Sequence, residues 1–518
     1  MGGKARRPDT AQRNKRTEEV SPQAALQTLD LLFQHTLTQR PDRLALADPF
    51  NKEQVTGLRP RQLTYAEANR EIQALTNHFV ALGLPTNSVI ALQLPNTVEL
   101  VLTLLAAHRA GLVVAILPLL WRHAQLTAAL NRTAARAIVT MGLIDGVSYG
   151  DQALIAASEA FSIRHICGFG TNLPRGMSTL DHVLTAATRP IRNVIQDGRK
   201  GAIISFDMTS EGVRVVARPH FSVIAGGLLI AVETAVPPGA TVMSAFAPTS
   251  FAGIASSLVL WLLSEGTLVL HHPFRNDVLQ QQINAQNCDV LVAPGELALR
   301  LAHCGLAARM PNLRQVIGLW RAPEQVSSTE SWPLPERPFT DVYLFGETGL
   351  FAVRRDPDGG PQLLKPGPQG TQQHSSSPSI ACEVVLTPRG TVALRGPMVP
   401  VSAYAPSRGF RETLAAETRH DYVDTGYAAR IEPDSTLSIL ASPSGIVSVG
   451  GYRYLPADLQ ECARRLGEDA CLTAQPDALN GHRLSGESDD NRTSQELLAA
   501  LGFDLLTIDA FRDQPPNR

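Results

Sequence analysis

Hydroxyls and a guanidinium crowd one short stretch of the chain. Thr209, Ser210 and Arg214 follow closely on the apolar run Ala202 to Phe206, with Gly212 among them. Groups of this kind donate hydrogen bonds to phosphate oxygens, and a glycine lets backbone approach a ligand closely. Asp207 and Glu211 stand in the same stretch, and their charge opposes an anion. The competing reading is a polar connection from a strand to a helix with no chemical role. Other chemistry-bearing residues are more dispersed. His271-His272 precedes Pro273, and His420-Asp421 sits in a polar loop; both read as surface or capping pairs rather than catalytic dyads. Gly168-Phe169-Gly170 lacks the third glycine of a dinucleotide-binding turn, and no Walker phosphate loop occurs. The six cysteines, Cys167, Cys288, Cys304, Cys382, Cys462 and Cys471, form no C-x-x-C pair, as in a reduced compartment without a structural zinc.

The elements that must position these groups are legible from periodicity. Thr64 and Glu67 form a capping box, Ala68, Ile72, Leu75, Phe79 and Leu82 recur at three- and four-residue steps, and Gly83 supplies the stop. A buried strand (Val89 to Leu94), a helix from about Thr97 to Arg109 and a strand at Val113 to Ile116 follow. Strand-like runs return at Ala137 to Thr140, Ala202 to Phe206, Val242 to Phe246, Leu268 to His271, Val290 to Ala293, Val316 to Leu319 and Val342 to Phe345, with helical patterns between most of them. That alternation predicts parallel or mixed sheets covered by helices. From about residue 351 the texture changes to short strands and turns, Ala381 to Leu386 and Thr391 to Arg395 among them. After 443 a hairpin (Ile446 to Val449 with Tyr452 to Tyr454), a helix from Pro456 to Leu466 and a capped helix from Thr493 to Leu501 predict a small α+β unit.

Read in order, several short motifs resemble those of the adenylate-forming (AMP-binding, acyl-CoA synthetase) superfamily over roughly residues 25 to 466. Leu63-Thr64-Tyr65-Ala66-Glu67 resembles its "LTY-E", and Leu94-Pro95-Asn96-Thr97-Val98-Glu99 with Ala110-Gly111 resembles "LPNS-E … AG". Phe345-Gly346-Glu347-Thr348 resembles "YG-TE", Leu394-Arg395-Gly396-Pro397 resembles "VRGP", Tyr422-Val423-Asp424-Thr425-Gly426 resembles "Y-TGD", and Gly451-Tyr452-Arg453-Tyr454-Leu455-Pro456 resembles "GYRV-P". Each motif alone is bland; their order and spacing carry the resemblance. It implies a large N-terminal domain and a small C-terminal lid, with ATP, Mg²⁺ and a carboxylic acid between them, and formation of an acyl-adenylate before transfer to coenzyme A.

Residue by residue, the resemblance fails where it bears on ATP. The family's Gly-, Ser- and Thr-rich loop ending in Pro-Lys reads Asp207 to His220 here, with only Gly212 surviving of the glycines and no lysine. The metal-binding glutamate of "YG-TE" is Gly349, although the aromatic platform for adenine persists as Phe345. "GGAP" reads Trp320-Arg321-Ala322-Pro323, the ribose-clamping aspartate of "TGD" is Tyr427 with Asp424 three residues away, and the hinge "GR--D" reads Ala441 to Gly445. The lysines are Lys4, Lys15, Lys52, Lys200 and Lys365, none in the C-terminal unit.

The expectation is therefore an α/β chain with a large domain of helix-covered mixed sheets over 23–442, including a small β-rich subdomain at about 351–442. A disordered tail at 1–22 precedes it, and a short α+β lid domain at 443–518 follows. Candidate nucleotide contacts are Thr209, Ser210, Gly212, Arg214, Phe345, Gly346, Glu347 and Thr348; candidate acyl-pocket residues are Phe251, Gly253 and Trp320. No catalytic residue and no metal ligand is assigned, and ATP or AMP with Mg²⁺ enters only through the resemblance. With net charge −2 and no basic stripe, nucleic acid is not an expected partner; a carboxylic acid or acyl group, an active homologue or a second copy is. No run is long and apolar enough to span a membrane, because Val98 to Trp121 is broken by Glu99, His108, Arg109 and Gly111. A cytoplasmic location follows. Two functions compete: an acyl-CoA synthetase fold that has lost adenylation and serves as a binding or regulatory module, or a divergent carboxylate-AMP ligase.

Overall fold

A computed structural model describes residues 27–186, 197–305, 309–369, 382–400, 404, 406, 422–477 and 481–512. The tail at 1–22, the polar loop Gln372 to Ser379 and the pair His420-Asp421 lie outside the described residues.

The helix–strand alternation resolves into two large sheets. In the first, strands run in the order Gly212–Pro219, Gly201–Thr209, Val113–Ile116, Val89–Gln93, Ala137–Met141, His165–Phe169 and Ser178–Thr179. All neighbours are parallel except the first two. The second sheet runs Gly349–Arg354, Phe339–Phe345, Gln315–Trp320, Val290–Pro294, Thr241–Ser244, Thr267–Leu270, Leu44–Ala47 and Gln62–Thr64, with antiparallel pairs only at its two edges. Strands such as Val89–Gln93 and Phe339–Phe345 are buried throughout, so apolar residues are not confined to alternate positions; the one charge, Asp341, is paired with Arg355.

Between the sheets lies the helix Val98–Arg109, all twelve of its residues buried. Its charged residues are matched rather than solvated. Arg109 grips Asp30 through Nε and Nη2, the closest contact being 2.7 Å. Glu99 joins a buried cluster in which Lys52 Nζ donates to Glu99 Oε1 at 2.7 Å and to Asp48 Oδ2 at 2.6 Å, while Arg61 bridges Glu99 and Glu71. The expected capping box is present: Thr64 Oγ1 accepts from the Glu67 amide at 3.2 Å, and the Glu67 carboxylate accepts from the Thr64 amide at 2.8 Å, starting the helix Tyr65–Ala81.

An all-antiparallel five-stranded sheet (Gly367–Gln369, Cys382–Leu386, Thr391–Arg395, Val423–Ile431, Leu437–Ala441) packs against the second large sheet. The chain then builds a four-stranded sheet, Tyr452–Tyr454, Val447–Val449, Gly481–Glu487 and Cys471–Asp477, with the helices Pro456–Arg464, Asn491–Ala500 and Leu505–Asp509 around its own core of Leu459, Cys462, Leu472, Leu498 and Phe511. The fold is thus the mixed α/β arrangement expected. The last long helix starts two residues earlier than its periodicity predicts, because Asp490 caps it by accepting from the amides of Arg492 and Thr493. Among the described residues no helix is long and apolar enough to cross a membrane.

Candidate functional site

In open α/β sheets, ligands gather beyond the carboxyl ends of the strands. Here those ends converge on one place: Pro118 follows Val113–Ile116, Thr249 and Ser250 follow Thr241–Ser244, Arg321 follows Gln315–Trp320, and Gly346 and Glu347 follow Phe339–Phe345. The C-terminal hairpin lies across them, and a cavity of ≈ 440 Å³ remains between.

At its base Glu347 is buried. Its carboxylate accepts from Ser205 Oγ at 2.5 Å and from the Phe251 amide at 3.1 Å, and Arg218 Nη1 lies 3.6 Å away. Arg218 also donates to the Glu347 carbonyl and lies over the Phe251 ring, 4.0 Å from its centroid. Burial pushes the Glu347 carboxyl above its usual value, with Arg218 and Ser205 pulling it back. Asp207 accepts from the Glu347 amide at 3.0 Å and from Arg453 Nη1 of the C-terminal hairpin at 2.9 Å, and Arg453 in turn donates to the Tyr427 hydroxyl. Gly346, at φ +58, makes this approach feasible, since a Cβ there would lie 2.5 Å from Arg453 Nη1 and 2.6 Å from Asp207 Oδ2. Tyr427 meets Phe345 edge-on, with ring centroids 5.3 Å apart and planes at 90°. Arg321 stacks over Phe246 at 4.3 Å and reaches Tyr452 at 5.7 Å.

The hydroxyl-rich stretch is neither a cradle nor a strand-to-helix connection. Gly201–Thr209 and Gly212–Pro219 pair directly as a hairpin turning at Ser210-Glu211. The Thr209 hydroxyl is used within that turn, donating to the Gly212 carbonyl at 3.0 Å, and Ser210 is exposed at the tip. Of the eight candidate nucleotide contacts, Gly346 and Glu347 line the cavity, whereas Thr209, Ser210, Gly212, Arg214, Phe345 and Thr348 do not. Phe251, Gly253 and Trp320 are all buried in the core and do not line it either. Trp320 donates from Nε1 to Asp341 Oδ1 at 2.7 Å and packs on Gly295. Asp424 caps its own turn, accepting from the Gly426 amide at 2.9 Å, and is exposed.

Asp207, read from sequence as a repulsive charge, is instead the partner of Arg453. That pairing joins residues 246 positions apart and carries no local signal. Trp121, Phe206, Met208 and Tyr452, which face the cavity, were missed because each reads as an ordinary core residue.

The fold is shared with solved synthetase structures. Amide bond synthetase McbA from Marinactinospora thermotolerans superposes with a TM-score of 0.67 at 16% identity, over 93% of this chain and 94% of that one. A double mutant of o-succinylbenzoate CoA synthetase from Bacillus subtilis, bound to its product analogue, gives 0.63 at 14% identity over 89% and 88%. Residues 33–196 match the family described as AMP-binding enzyme. The family match thus covers 33–196, and the shared fold most of the chain. In sequence it is 21% identical to a medium/long-chain-fatty-acid–CoA/3-oxocholest-4-en-26-oate–CoA ligase of Mycobacterium tuberculosis, over 88% of this chain and 85% of the ligase. An 88-residue stretch is 36% identical to chondramide synthase cmdD of Chondromyces crocatus, of which the chain spans only 2%.

Proposed function

We propose that the protein is an acyl-CoA synthetase relative that no longer adenylates a carboxylate, and that it serves as a binding or regulatory module, with residues from 443 onward closing as a lid over 23–442. The observation that carries this reading is the chain Glu347–Asp207–Arg453–Tyr427, in which the groups around the Phe345 platform satisfy one another. ATP with Mg²⁺ does not fit such a site. The Phe345 edge is met by Tyr427, the Asp207 carboxylate is paired with a guanidinium, and the Glu347 carboxylate is held by Ser205, the Phe251 amide and Arg218. A side chain at position 349 would have to displace the ends of Leu394 and Met398, since a Cβ there would come within 2.9 Å of Leu394 Cδ1.

A second reading, a divergent carboxylate–AMP ligase, is favoured by the three guanidinium groups of Arg218, Arg321 and Arg453 around Glu347, which could meet a phosphate if the internal pairs opened. Calorimetric titration with Mg·ATP separates the two. The non-adenylating reading expects no heat of binding up to millimolar nucleotide; micromolar affinity would overturn it.

A further inference from the structure

The C-terminal unit closes over the cavity through few polar contacts, and they are unequal. Tyr452, Tyr454 and Phe503 line the cavity from the unit, and Trp121, Phe206 and Met208 line it from the large domain, so the cavity exists only while the unit stays in place. Among the described residues, four side-chain hydrogen bonds cross from 443–512 to the rest of the chain. Arg321 reaches the Gly450 carbonyl at 3.3 Å and Gln125 reaches Asp504 at 3.4 Å, both beyond the usual span of about 2.7–3.2 Å. The other two belong to Arg453, whose Nη1 donates to Asp207 at 2.9 Å and whose Nη2 donates to the Tyr427 hydroxyl. Arg453–Asp207 is also the only ion pair that crosses the junction among the described residues, and its side chains are just 13% and 11% exposed.

That enclosure decides what the pair can do. An exposed pair contributes little, because water solvates its charges in any arrangement. With one partner of an enclosed pair removed, the closed arrangement holds an uncompensated charge, which opening returns to water. Arg321 clasps from the other side more weakly: its guanidinium lies 4.3 Å from the Phe246 ring of the large domain and 5.7 Å from Tyr452 of the unit. Gly451, at φ +88, leaves it room, since a Cβ there would lie 2.0 Å from Arg321 Nη1. The unit's core of Leu459, Cys462, Leu472, Leu498 and Phe511 includes no residue of the large domain, so the unit can move as one body.

We propose that Arg453 is a latch: its contacts with Asp207 and Tyr427 hold the C-terminal unit shut over the cavity, and breaking them frees the unit to swing away. This deepens the reading of residues from 443 onward as a lid and rests on it. While the latch holds, neither Asp207 nor Arg453 is available to a ligand, and access to the cavity is set by the cost of parting them.

Cys304 of the large domain and Cys471 of the unit are exposed while Cys167, Cys288, Cys382 and Cys462 are buried, so donor and acceptor maleimides on the full chain report where the unit sits. Single-molecule energy transfer should show one narrow population for the natural sequence. Arg453→Met and Asp207→Asn, the latter keeping an oxygen for the Glu347 amide, should each raise the fraction of molecules outside it about tenfold or more. The double variant should go little further, since both changes remove the same pair. Asp458→Asn, at an exposed charge on the cavity edge, should change nothing. Reaction of Cys462 with dithiobis-nitrobenzoate distinguishes an unfolded unit from an opened one; should Arg453→Met unfold it, Arg453→Lys, which keeps the charge but not the two-pronged reach, should give a smaller shift of the same kind. Natural distributions in both latch variants, or an equal shift in Asp458→Asn, would overturn the latch. Unshifted distributions with no Mg·ATP heat would leave the non-adenylating reading standing without it; Mg·ATP heat with the shifts present would do the reverse.

Discussion

Carboxylate-dependent exchange of labelled pyrophosphate into ATP is expected to be undetectable for this protein across a panel of fatty, aromatic and steroidal acids. Attack on the α-phosphate spreads negative charge over its oxygens, and the barrier falls only if preorganised positive charge and amide donors already point there. Loss of one such donor costs about 2.7–4 kcal/mol, or roughly a hundred- to a thousandfold in rate. In this chain the hydroxyl-rich segment is closed as a hairpin, position 349 is a glycine packed on Leu394, and Tyr427 stands where the resemblance places a carboxylate. The sequence carries no lysine beyond Lys365. Losses in one site do not simply add, yet any one of these suffices to remove most of the rate. Tyr427→Asp alone is not expected to restore exchange, because the new carboxylate would be buried beside Phe345 and would compete with Asp207 for Arg453. Wild-type exchange at typical enzymatic turnover, about 1–10³ per second, would contradict the non-adenylating reading.

The largest loss of stability is expected from Lys52→Met. The Lys52 ammonium has no exposed surface and sits between Asp48 and Glu99, whose carboxylates are almost as fully enclosed. Removing it leaves two like charges buried with Arg61 as the nearest compensating cation, so a penalty of about 3–5 kcal/mol follows, a large share of a domain's total. The shift in urea midpoint of the first unfolding transition, at unchanged slope, measures it.

The sign of its pH dependence is fixed by Asp48. Burial and the like charge of Glu99 hold its carboxyl up to about 6, so the folded state takes up a proton there before the unfolded chain does. What this group contributes is present at low pH and lost as pH rises through about 6. With Lys52 gone the same repulsion is stronger, so the penalty should be smaller at mildly acidic pH than in alkali. A loss under about 1 kcal/mol at all pH values, as for an exposed pair, would show that water reaches the cluster.

How much was legible follows from which interactions are local. The helix Tyr65–Ala81 was readable because its cap lies within four residues and its apolar face repeats every three or four. The central strands of both large sheets were readable because burial on both faces leaves apolar runs, whereas Leu44–Ala47, Gly212–Pro219 and Gly349–Arg354 were not. Ordered short motifs pointed to the superfamily, and the identities at 349 and 427 marked the departure from its chemistry.

The site itself was less legible. A two-residue turn that closes Thr209 onto Gly212 reads, in one dimension, like a polar loop awaiting a ligand. Trp320, a plausible pocket wall by position, became core because Gly295 leaves room for its ring and Asp341 accepts its N–H.

By itself, then, the sequence determined the central strands and the main helices, the resemblance to the superfamily and the absence of lysine from the C-terminal unit, since propensity, periodicity and composition act over a few residues. Only the tertiary structure decided that Asp207 meets Arg453, that Tyr427 meets Phe345, and that six aromatic and thioether side chains from four separate segments line one cavity. Those outcomes depend on which strand ends the sheets bring together, and Coulomb and packing energies between groups hundreds of residues apart exist only once the chain has folded.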